Sequence, residues 1–525
     1  MSVSRVSTDN KTFDFNLRTS ETDWPSLKVH FTLKRDSMHV YGHTEFDVYL
    51  NPVVLDESDN DGSASVLYDG YVDFSNRNTL AKYSLVNGIA YSTINLEPNQ
   101  TQLLSTMSQC LPINMLPPLN EMLPALNAAT PIASANLEGI EIKCTTGHFF
   151  KVMLQGLSFV ICVSDTSGFH VYGSDMEFEV KYLKIPVQIV APKLTASAAS
   201  ECKTVVNATV VTATTVALLT GKELSERSES YNFGSTVYMS STKCSCMSTP
   251  RPCLFIHGLG IDFAKAELQD SFSFYWGNLT DHAPCCTDFK YMIWNSIQTG
   301  WNNQTQQQIM CDLATSLSGF GSPNEIADTI VVTHSMGGLV LASAIASGKC
   351  TFAESSSWIA TSAPMSGSMG SDYAEEACAG KHKFVMEKIG NVTGVCPVLG
   401  GTKSLVYEGG KMSWPELNDA YKAARKVYRT HVHAALCSNW YVGLFSRYQF
   451  LYALLGATLP HKSNENDGLV EFESCAGGLP REQFHDHYTH RFYVARLNHA
   501  DATFYYGDGL FSSAKKPVKW FECVL

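Results

Sequence analysis

Several classes of protein are excluded by what this 525-residue chain lacks. It has no Lys/Arg-rich run and its net charge is −12, so nothing favours binding to the phosphate backbone of nucleic acids. No segment approaches a charge-free transmembrane span, and the nearest, 204–221, is rich in threonine and contains a sequon. Its 17% charged and 45% hydrophobic residues are typical of globular proteins, and the length predicts about two to four domains.

A signal peptide is also missing, because Met1-Ser-Val-Ser-Arg-Val-Ser7 has no apolar core. The 16 cysteines and the N-x-[ST] sequons nevertheless favour an oxidising, glycosylating secretory route. Zinc binding is the rival use of the cysteines, but no paired C-x₂-C set has zinc-finger spacing. Cys244-Ser-Cys246 and Cys285-Cys286 are better interpreted as disulfide partners. The sequons are at Asn10, Asn99, Asn207, Asn278, Asn303 and Asn391.

An internal repeat offers a reason for the missing signal peptide. The segment from His39 to Val53 recurs from His170 to Val187, and both copies alternate apolar and polar residues as half-buried strands do. Residues 1–55 are therefore interpreted as the trailing half of a β-rich unit whose complete copy spans 56–195. We expect the chain to be a fragment or a truncated gene product, and the protein to be secreted or extracellular.

The repeat also predicts one disulfide. Cys144 and Cys162 correspond to Leu17 and Lys34 of the first copy, so the two cysteines are missing together. Joint absence is expected of a bonded pair, because one thiol left alone would be reactive. We therefore predict a bond between Cys144 and Cys162.

The front half contains no catalytic constellation before residue 200 and is interpreted as a β-rich accessory module. Within it, the proline-containing run 111–127 predicts a short helix. We expect its Met and Leu side chains to join the core, and a lipid-binding face is the alternative. Residues 196–250, rich in Ser, Thr and Ala, predict a connector in which local structure can form.

The back half is organised around the stretch Asp328–Ala342. It begins as an apolar β-branched run, turns sharply at Ser335 and continues as a helix of small residues. A strand, a tight turn and a helix present a nucleophilic serine hydroxyl above a parallel sheet, and the strained turn requires small neighbours. Gly337 meets this requirement, whereas Thr333 stands where glycine is usual. An ordinary β-to-α turn that contains a serine is the alternative interpretation.

Strands alternate with helices from Arg251 onward, which predicts a parallel sheet covered on both faces. The predicted elements are strands at Cys253–His257, Tyr291–Trp294, Thr329–Val332 and Ser357–Pro364, and a helix over Asn303–Leu317.

Four motifs of this half resemble the lipase and esterase branch of the α/β-hydrolases. They are Phe255-Ile-His-Gly-Leu-Gly260, Thr333-His-Ser-Met-Gly-Gly338, Asn466-Asp-Gly-Leu-Val470 and Asn498-His-Ala-Asp501. Bacterial triacylglycerol lipases look similar at all four places, and the fungal lipase B type also carries threonine at the position of Thr333. The resemblance covers residues from about 250 to 510. It implies an α/β-hydrolase fold, with a mostly parallel sheet flanked by helices, and catalytic residues in the order Ser, Asp, His.

The chemistry of ester cleavage assigns a role to each candidate residue. Ser335 would be the nucleophile, which requires an imidazole to remove its proton. His499 is the candidate base, and Asp467 would orient its ring and stabilise the imidazolium. The tetrahedral oxyanion needs preorganised donors, for which the backbone N–H groups of Leu259 and Met336 are the candidates.

Other acidic residues compete with Asp467 for the role of the orienting acid. We favour Asp467 because Asp-Gly makes the turn expected just after a sheet strand. The competing carboxylates are those of Glu465, Glu471, Glu473 and Asp501.

The histidines other than His499 are given structural roles. His257 is expected to brace the loop that carries the Leu259 N–H, the oxyanion loop. His485, His487 and His490 have a spacing that could ligate a metal, but no H-E-x-x-H helix accompanies them. Neither a metal nor a cofactor is therefore predicted.

Residues 365–460 are interpreted as a long insertion ahead of Asp467. Its segments Ala434–Phe445 and Phe450–Leu455 are strongly apolar. In lipase-like enzymes such an insertion commonly forms a cap over the acyl pocket, and a plain core helix is the alternative. Cysteines 350, 378, 396 and 437 suggest disulfide bracing whose pairing the sequence leaves open.

The sequence thus predicts an α/β-hydrolase domain over 251–525, preceded by the β-rich accessory module. Its expected activity is hydrolysis of carboxylic esters, lipid esters above all, through an acyl-enzyme. A lipid acyltransferase, a glycolipid deacylase or a peptidase would use the same triad. A surface or adhesion protein that retains the fold without activity is the alternative of another class. The expected partners are an ester or lipid substrate and, transiently, a membrane or lipid surface; the oligomeric state is left open.

Overall fold

The computed structural model describes residues 24–57, 64–76, 79–96, 105–145, 148–163, 167–195, 199–200, 202–222, 235–239, 243–318, 324–380, 396–446 and 448–525. Leu17 and the sequon residues Asn10, Asn99 and Asn391 lie outside these ranges.

Among the residues that the structure describes, the front half forms fifteen strands, β1 to β15, and the α-helices α1 and α2. The strands are Ser26–Leu33 (β1), Glu45–Glu57 (β2), Ala64–Asn76 (β3), Thr79–Val86 (β4), Ile89–Leu96 (β5), Ser105–Leu111 (β6), Thr130–Ile132 (β7), Ser134–Leu137 (β8), Ile140–Glu141 (β9), Phe149–Leu154 (β10), Leu157–Val163 (β11), Gly168–Gly173 (β12), Met176–Leu183 (β13), Thr209–Val211 (β14) and Thr236–Met239 (β15). The helices are Leu119–Asn127 (α1) and Ala213–Thr220 (α2). Helix α1 begins behind the prolines, as the sequence predicts.

Twelve of these strands form one antiparallel sheet. Its spatial order is β6-β5-β4-β3-β2-β1-β13-β12-β11-β10-β7, and β14 pairs with β3. Strand β1 shows why alternating apolar and polar residues form such a sheet. Leu27, Val29 and Phe31 are buried on one face, while the residues between them are partly exposed on the other. A small second sheet has the order β15-β8-β9.

Two of the predicted domain boundaries need correction. The boundary between residues 55 and 56 falls within β2, which pairs with β3 from Tyr49 to Glu57, while β1 pairs with β13. Residues 26–57 therefore belong to the same sheet as the predicted complete unit, because backbone hydrogen bonds continue across both junctions. The connector 196–250 is likewise not a separate spacer, since β14 adds a strand to this sheet.

The back half contains eight strands, β16 to β23, and nine helices among the residues that the structure describes. The strands are Arg251–Ile256 (β16), Cys286–Met292 (β17), Glu325–Ile326 (β18), Ile330–His334 (β19), Thr351–Phe352 (β20), Ser357–Thr361 (β21), Val432–Ser438 (β22) and Phe492–Ala495 (β23). The helices are Ser273–Trp276 (α3), Gln304–Thr315 (α4), Met336–Ala346 (α5), Met369–Cys378 (α6), Gly400–Lys403 (α7), Pro415–His431 (α8), Gln449–Thr458 (α9), Phe472–Ala476 (α10) and Pro517–Cys523 (α11). None of the described helices of the chain is long and apolar enough to cross a membrane.

Six strands of this half form a parallel sheet with apolar layers on both faces, as the alternating pattern predicts. Its order is β17-β16-β19-β21-β22-β23, and every neighbouring pair is parallel. One layer includes Met310 of α4, Leu339 of α5 and Tyr421 of α8, and the opposite layer includes Trp276 of α3 and Trp520 of α11. Burial on both faces explains why the strands are apolar runs without alternation.

The predicted insertion 365–460 is not purely a cap. Strand β22 lies inside the sheet between β21 and β23, and α8 packs against α5. The apolar run Ala434–Phe445 therefore supplies a core strand, which neither the cap nor the core-helix interpretation anticipated. The second apolar run, Phe450–Leu455, does form a helix, α9.

All 16 cysteines are paired in eight disulfides. The predicted bond between Cys144 and Cys162 is confirmed, with a Cα–Cα distance of 5.6 Å. The others are Cys110–Cys202, Cys244–Cys523, Cys246–Cys285, Cys253–Cys286, Cys311–Cys350, Cys378–Cys396 and Cys437–Cys475.

Buried ion pairs join the two halves. The Arg35 guanidinium lies 2.5 Å from a carboxylate oxygen of Glu522 in α11, and Lys519 of the same helix lies 2.6 Å from Asp175. All four side chains are at least 96% buried. Such pairs require close geometry because each charge has lost its water, so the antiparallel sheet and the back half meet in a fixed arrangement.

Candidate active site

The serine turn has the geometry that the sequence predicts. Strand β19 ends at His334, Ser335 has φ 54° and ψ −130°, and α5 begins at Met336. A positive φ is costly for a residue with a Cβ, and such strain clusters at functional sites. The Ser335 N–H donates to the Thr361 carbonyl at 2.9 Å, which holds the strained residue against the neighbouring strand.

Two glycines allow the turn to pack closely against the end of β16. A Cβ on Gly258 would lie 2.5 Å from the Cβ of Ser335, and one on Gly337 would lie 2.8 Å from the carbonyl oxygen of His257. Neither contact leaves room for a larger residue. Gly337 thus meets the requirement for a small neighbour, and Gly258 brings the upstream loop up to the serine.

Thr333, which occupies the position where glycine is usual, is accommodated by a hydrogen bond in the core. It is fully buried, and its Oγ1 accepts from Trp358 Nε1–H at 2.9 Å. The threonine hydroxyl is therefore satisfied by β21, and the turn keeps the strained Ser335 backbone.

The three candidate catalytic side chains come together in one hydrogen-bonded chain. His499 Nε2 lies 2.9 Å from Ser335 Oγ, and His499 Nδ1 lies 2.7 Å from Asp467 Oδ2. Because a carboxylate only accepts, Nδ1 carries the ring proton and Nε2 is left to accept from the serine hydroxyl. This is the arrangement in which an imidazole can take the serine proton.

Asp467 is held as a carboxylate. Burial would raise the pKa of this carboxyl, but His499 and the N–H groups of Val470 and Leu469 outweigh it and lower the pKa below its usual range. Those two N–H groups donate to Oδ1 at 2.7 and 3.0 Å. The remaining oxygen is therefore free to orient His499.

The reason given for preferring Asp467 needs correction. The regular element before it is helix α9, not a sheet strand, and β23 comes later in the chain. The Asp-Gly turn itself is present, since Gly468 has φ 97°. Asp467 thus reaches the base from a loop between two helices, α9 and α10.

The competing acids face elsewhere. Asp501 Oδ2 accepts from the Leu444 N–H at 2.6 Å, and burial raises the pKa of Asp501 to about 7. Glu471 lies 3.1 Å from His461 Nδ1, and Glu465 pairs with Arg481 at 3.1 Å. Glu473 is exposed. Of the acids considered, Asp467 is the one placed on His499.

Two backbone N–H groups are the candidate donors to an oxyanion. The Met336 N–H is at the first residue of α5, where a helix leaves its donors without an intrahelical acceptor. The Leu259 N–H shares a peptide unit with the Gly258 carbonyl, which accepts from His257 Nδ1 at 2.7 Å. In a trans peptide the N–H points away from the C=O, so His257 directs the Leu259 N–H to the opposite side of the loop.

His257 has the bracing role expected of it. Its Nε2 accepts from the Trp294 N–H at 3.1 Å, so both ring nitrogens are used within the loop region. Burial lowers the pKa of His257 to about 4, which keeps the ring neutral.

Tyr275 and His334 complete the site and were not anticipated. His334 Nε2 lies 3.0 Å from the His499 carbonyl oxygen, so Nε2 carries the proton and Nδ1 accepts from the Tyr275 hydroxyl at 2.6 Å. Tyr275 Oη in turn accepts from the Gly258 N–H at 2.9 Å. The position of His334 directly before Ser335 was the available signal, whereas Tyr275 lies in a short helix with no motif of its own.

The three histidines considered for a metal do not act together. The rings of His485 and His490 lie 4.2 Å apart between centroids, and His487 Nδ1 instead bonds the Thr489 hydroxyl at 2.9 Å. No group of three or more His, Cys, Asp or Glu within the described ranges could hold a metal ion.

The site is covered. Ser335 exposes 5% and His499 7% of their surfaces. Helix α9 contributes the covering ring, since Tyr452 stacks on His499 with 6.5 Å between ring centroids. Ser335 and His499 are therefore almost closed off from solvent.

Comparisons with known proteins give weak similarities. No protein-family model and no curated protein matches the sequence. Among solved structures, the chain is similar to the lipase of Staphylococcus hyicus, with 12% identity and a TM-score of 0.29 over 53% of this chain and 95% of that one. It is also similar to a metagenomic carboxyl esterase, with 13% identity and a TM-score of 0.27 over 57% of this chain and 80% of that one. At these TM-scores the similarity adds nothing to the geometry of the site.

Proposed function

We propose that this chain is a serine hydrolase of the α/β-hydrolase superfamily that cleaves carboxylic esters. The observation that carries the proposal is the Asp467–His499–Ser335 chain, with heavy-atom distances of 2.7 and 2.9 Å, on a strained serine turn above a parallel sheet. A structural hydrogen-bond chain alone would not require the strained backbone at Ser335.

The reaction follows from the positions of the donors. His499 Nε2 removes the Ser335 proton as Oγ attacks the ester carbonyl, and the N–H groups of Leu259 and Met336 stabilise the oxyanion. The imidazolium, stabilised by Asp467, then gives its proton to the departing alkoxide, which leaves as an alcohol. Water, deprotonated by His499, attacks the acyl-enzyme, and the acid is released with Ser335 restored.

We further propose that the substrate is a lipid ester. Helix α9 covers His499 and carries a run of partly exposed apolar side chains, among them Phe450, Leu451 and Leu454. An apolar surface beside the reacting serine favours long acyl chains, because their burial is driven by the hydrophobic effect. The same geometry would serve an acyltransferase if an alcohol rather than water attacked the acyl-enzyme.

An extracellular location is part of the proposal. Eight disulfides are typical of oxidising compartments, and the sequon residues Asn207, Asn278 and Asn303 are exposed. Exposed sequons can accept N-linked glycans.

A fluorophosphonate probe tests the activity directly. We expect it to label wild-type protein on Ser335, and we expect Ser335→Ala to lose both labelling and about 10⁴-fold or more of the hydrolysis of p-nitrophenyl butyrate. Ser347→Ala, at the other end of the same helix, is the matched control and should behave as wild type. Absence of labelling in folded wild-type protein would refute the proposal.

Chain-length dependence tests the substrate class. We expect kcat/KM to rise from p-nitrophenyl acetate to p-nitrophenyl palmitate presented in mixed micelles. A fall along this series would assign the enzyme to small soluble esters. Transfer of the acyl group to added glycerol in preference to water would identify an acyltransferase.

A further inference from the structure

An apolar cavity of about 360 Å³ lies against one face of the antiparallel sheet of the front half. Residues of ten consecutive strands, β6-β5-β4-β3-β2-β1-β13-β12-β11-β10, line it together with Thr209 of β14, and Val29 of β1 is one of them. Helix α1 contributes Met122 and Leu126, and the catalytic half contributes Phe445 and Phe511. Because so many elements line it, the cavity is larger than a gap between two side chains.

A space of this size is unusual for a protein core. Interiors pack to a density like that of organic crystals, with few voids larger than a water molecule. An engineered apolar cavity of roughly 150 Å³ already binds benzene. This cavity is more than twice as large and falls within the range of roughly 300–1,000 Å³ that is typical of ligand pockets.

The lining defines the chemistry of the occupant. No charged side chain is among the residues that line the cavity, and Leu, Val and Phe side chains dominate it. A ligand group that enters must therefore be uncharged and apolar, because an ionised group without a partner is costly to bury. Met122 in α1 adds a flexible side chain that can adapt to an irregular ligand.

The cavity lies close to the catalytic site along the chain. Phe445, which lines it, follows Leu444, whose N–H is held by Asp501 at 2.6 Å, two residues after His499. Gly443 also packs against this loop, since a Cβ there would lie 2.7 Å from the Asn498 nitrogen. The loop that follows β22 therefore contacts both the cavity and the loop of His499.

We propose that this cavity is a binding site for a long aliphatic chain, that of a fatty acid or of a lipid ester, separate from the site at Ser335. The choice of an acyl chain over other apolar ligands rests on the proposed function, since ester lipids and their fatty-acid products are the apolar molecules that a lipid esterase meets. The helix α1 side chains then have a role beyond packing, which is the lipid-contacting alternative weighed from the sequence.

Binding of cis-parinaric acid to the full chain, freed of lipid on a hydrophobic resin, tests the proposal. The Ser335→Ala background is used so that ester competitors are not consumed. We expect saturable binding of one probe per chain, displaced by palmitic acid and equally by the uncharged hexadecanol. Methyl palmitate identifies the source of the chain: equal displacement indicates that esters bind, and displacement by palmitic acid and hexadecanol alone restricts the site to lipids with a free end group. Displacement by cholesterol but not by hexadecanol would overturn the aliphatic assignment.

Substitutions at two positions on opposite faces of β1 test whether the probe binds in the cavity. Val29→Trp places an indole in the cavity and should weaken probe binding at least tenfold. Thr32→Trp, on the opposite face of the same strand, should leave it within twofold of the parent. Ala90→Phe fills the cavity from β5 and serves if Val29→Trp fails to fold, as judged by circular dichroism. Unchanged binding in a folded cavity variant would overturn the proposal. If wild-type protein binds the probe but does not hydrolyse esters, only the proposed function is refuted.

Discussion

The hydroxyl of Tyr275 lies 2.6 Å from Nδ1 of His334 and joins the two loops of the candidate active site. Because it also accepts from the Gly258 N–H, one oxygen connects the loop that carries the Leu259 N–H to strand β19, which ends at His334. Burial raises the pKa of Tyr275, so the hydroxyl stays protonated and keeps its role as donor to His334. The oxyanion loop is therefore fixed from both sides, by Tyr275 and by His257.

Removing this hydroxyl should impair catalysis without unfolding the protein. We expect Tyr275→Phe to lower kcat/KM for p-nitrophenyl butyrate by roughly tenfold, less than the 10²–10³ that loss of a direct oxyanion donor costs. Most of the change should be in kcat, because the hydroxyl positions donors that act in the transition state. Tyr238→Phe, at a residue that is 77% exposed, is the control and should leave both constants unchanged. Wild-type kinetics in Tyr275→Phe would contradict a positioning role.

Asp501 should make stability depend on pH. Its pKa is raised to about 7 by burial, so between pH 4 and 7 the folded state holds a proton that the unfolded state has lost. Stability therefore falls as pH rises through this window and is flat below the unfolded pKa. The variant Asp501→Asn keeps an oxygen for the Leu444 N–H but has no proton to lose. We expect its free energy of unfolding in urea to fall by about 2 kcal/mol less between pH 4.5 and 8 than that of the wild type. Parallel pH profiles for the two proteins would contradict this assignment.

The buried pair of Arg35 and Glu522 should be important for stability. Burial alone would raise the pKa of Glu522, but His282 and Arg35 lower it to about 2, so the carboxylate is charged. We expect Arg35→Met to lower the free energy of unfolding in urea by about 3 kcal/mol, because it leaves the Glu522 carboxylate buried with one partner fewer. Arg481→Met is the matched control, since its pair with Glu465 is more than 40% exposed on both sides and should be worth less than about 1 kcal/mol. Equal effects of the two changes would show that burial does not decide the outcome.

The disulfide between Cys144 and Cys162 closes a short loop, with a sequence separation of 18. The bond stabilises the fold by restricting the unfolded chain. We therefore expect the double variant Cys144→Ala/Cys162→Ala to lose about 3 kcal/mol of the free energy of unfolding, measured with denaturant. The bond between Cys378 and Cys396 has the same separation and provides a comparison in the catalytic half. Similar losses for the two double variants would support the entropic account, and no loss in the first would refute this prediction.

The local features of the catalytic half could be predicted from sequence. The run before Ser335 and the small residues after it determine a strand, a turn and a helix over about ten residues, and the structure has β19 and α5 there. Repeat comparison found the bonded cysteines, because loss of one sulfur makes the other a liability. The contacts that bring Asp467 and His499 to Ser335 were expected from motif order, and the structure places all three within hydrogen-bond distance.

Long-range packing was beyond the reach of periodicity. The seven-residue strand β22 contains the short apolar run Ala434–Cys437, and such a run does not distinguish a buried strand from part of a helix. The pairing of β1 with β13 joins residues more than 140 positions apart, so the sequence pattern placed a boundary where the sheet continues. The cavity arises from ten consecutive strands, β14 and α1 together, and no single segment shows it.

The 487 residues that separate Arg35 from Glu522 also have a consequence for the order of folding. During synthesis the sheet that carries Arg35 emerges long before α11, so its charged surface stays in water until most of the chain has left the ribosome. The contact between Arg35 and Glu522 therefore cannot form until α11 has been made. The disulfide between Cys244 and Cys523 holds the same helix, so its oxidation also has to wait until α11 has been made.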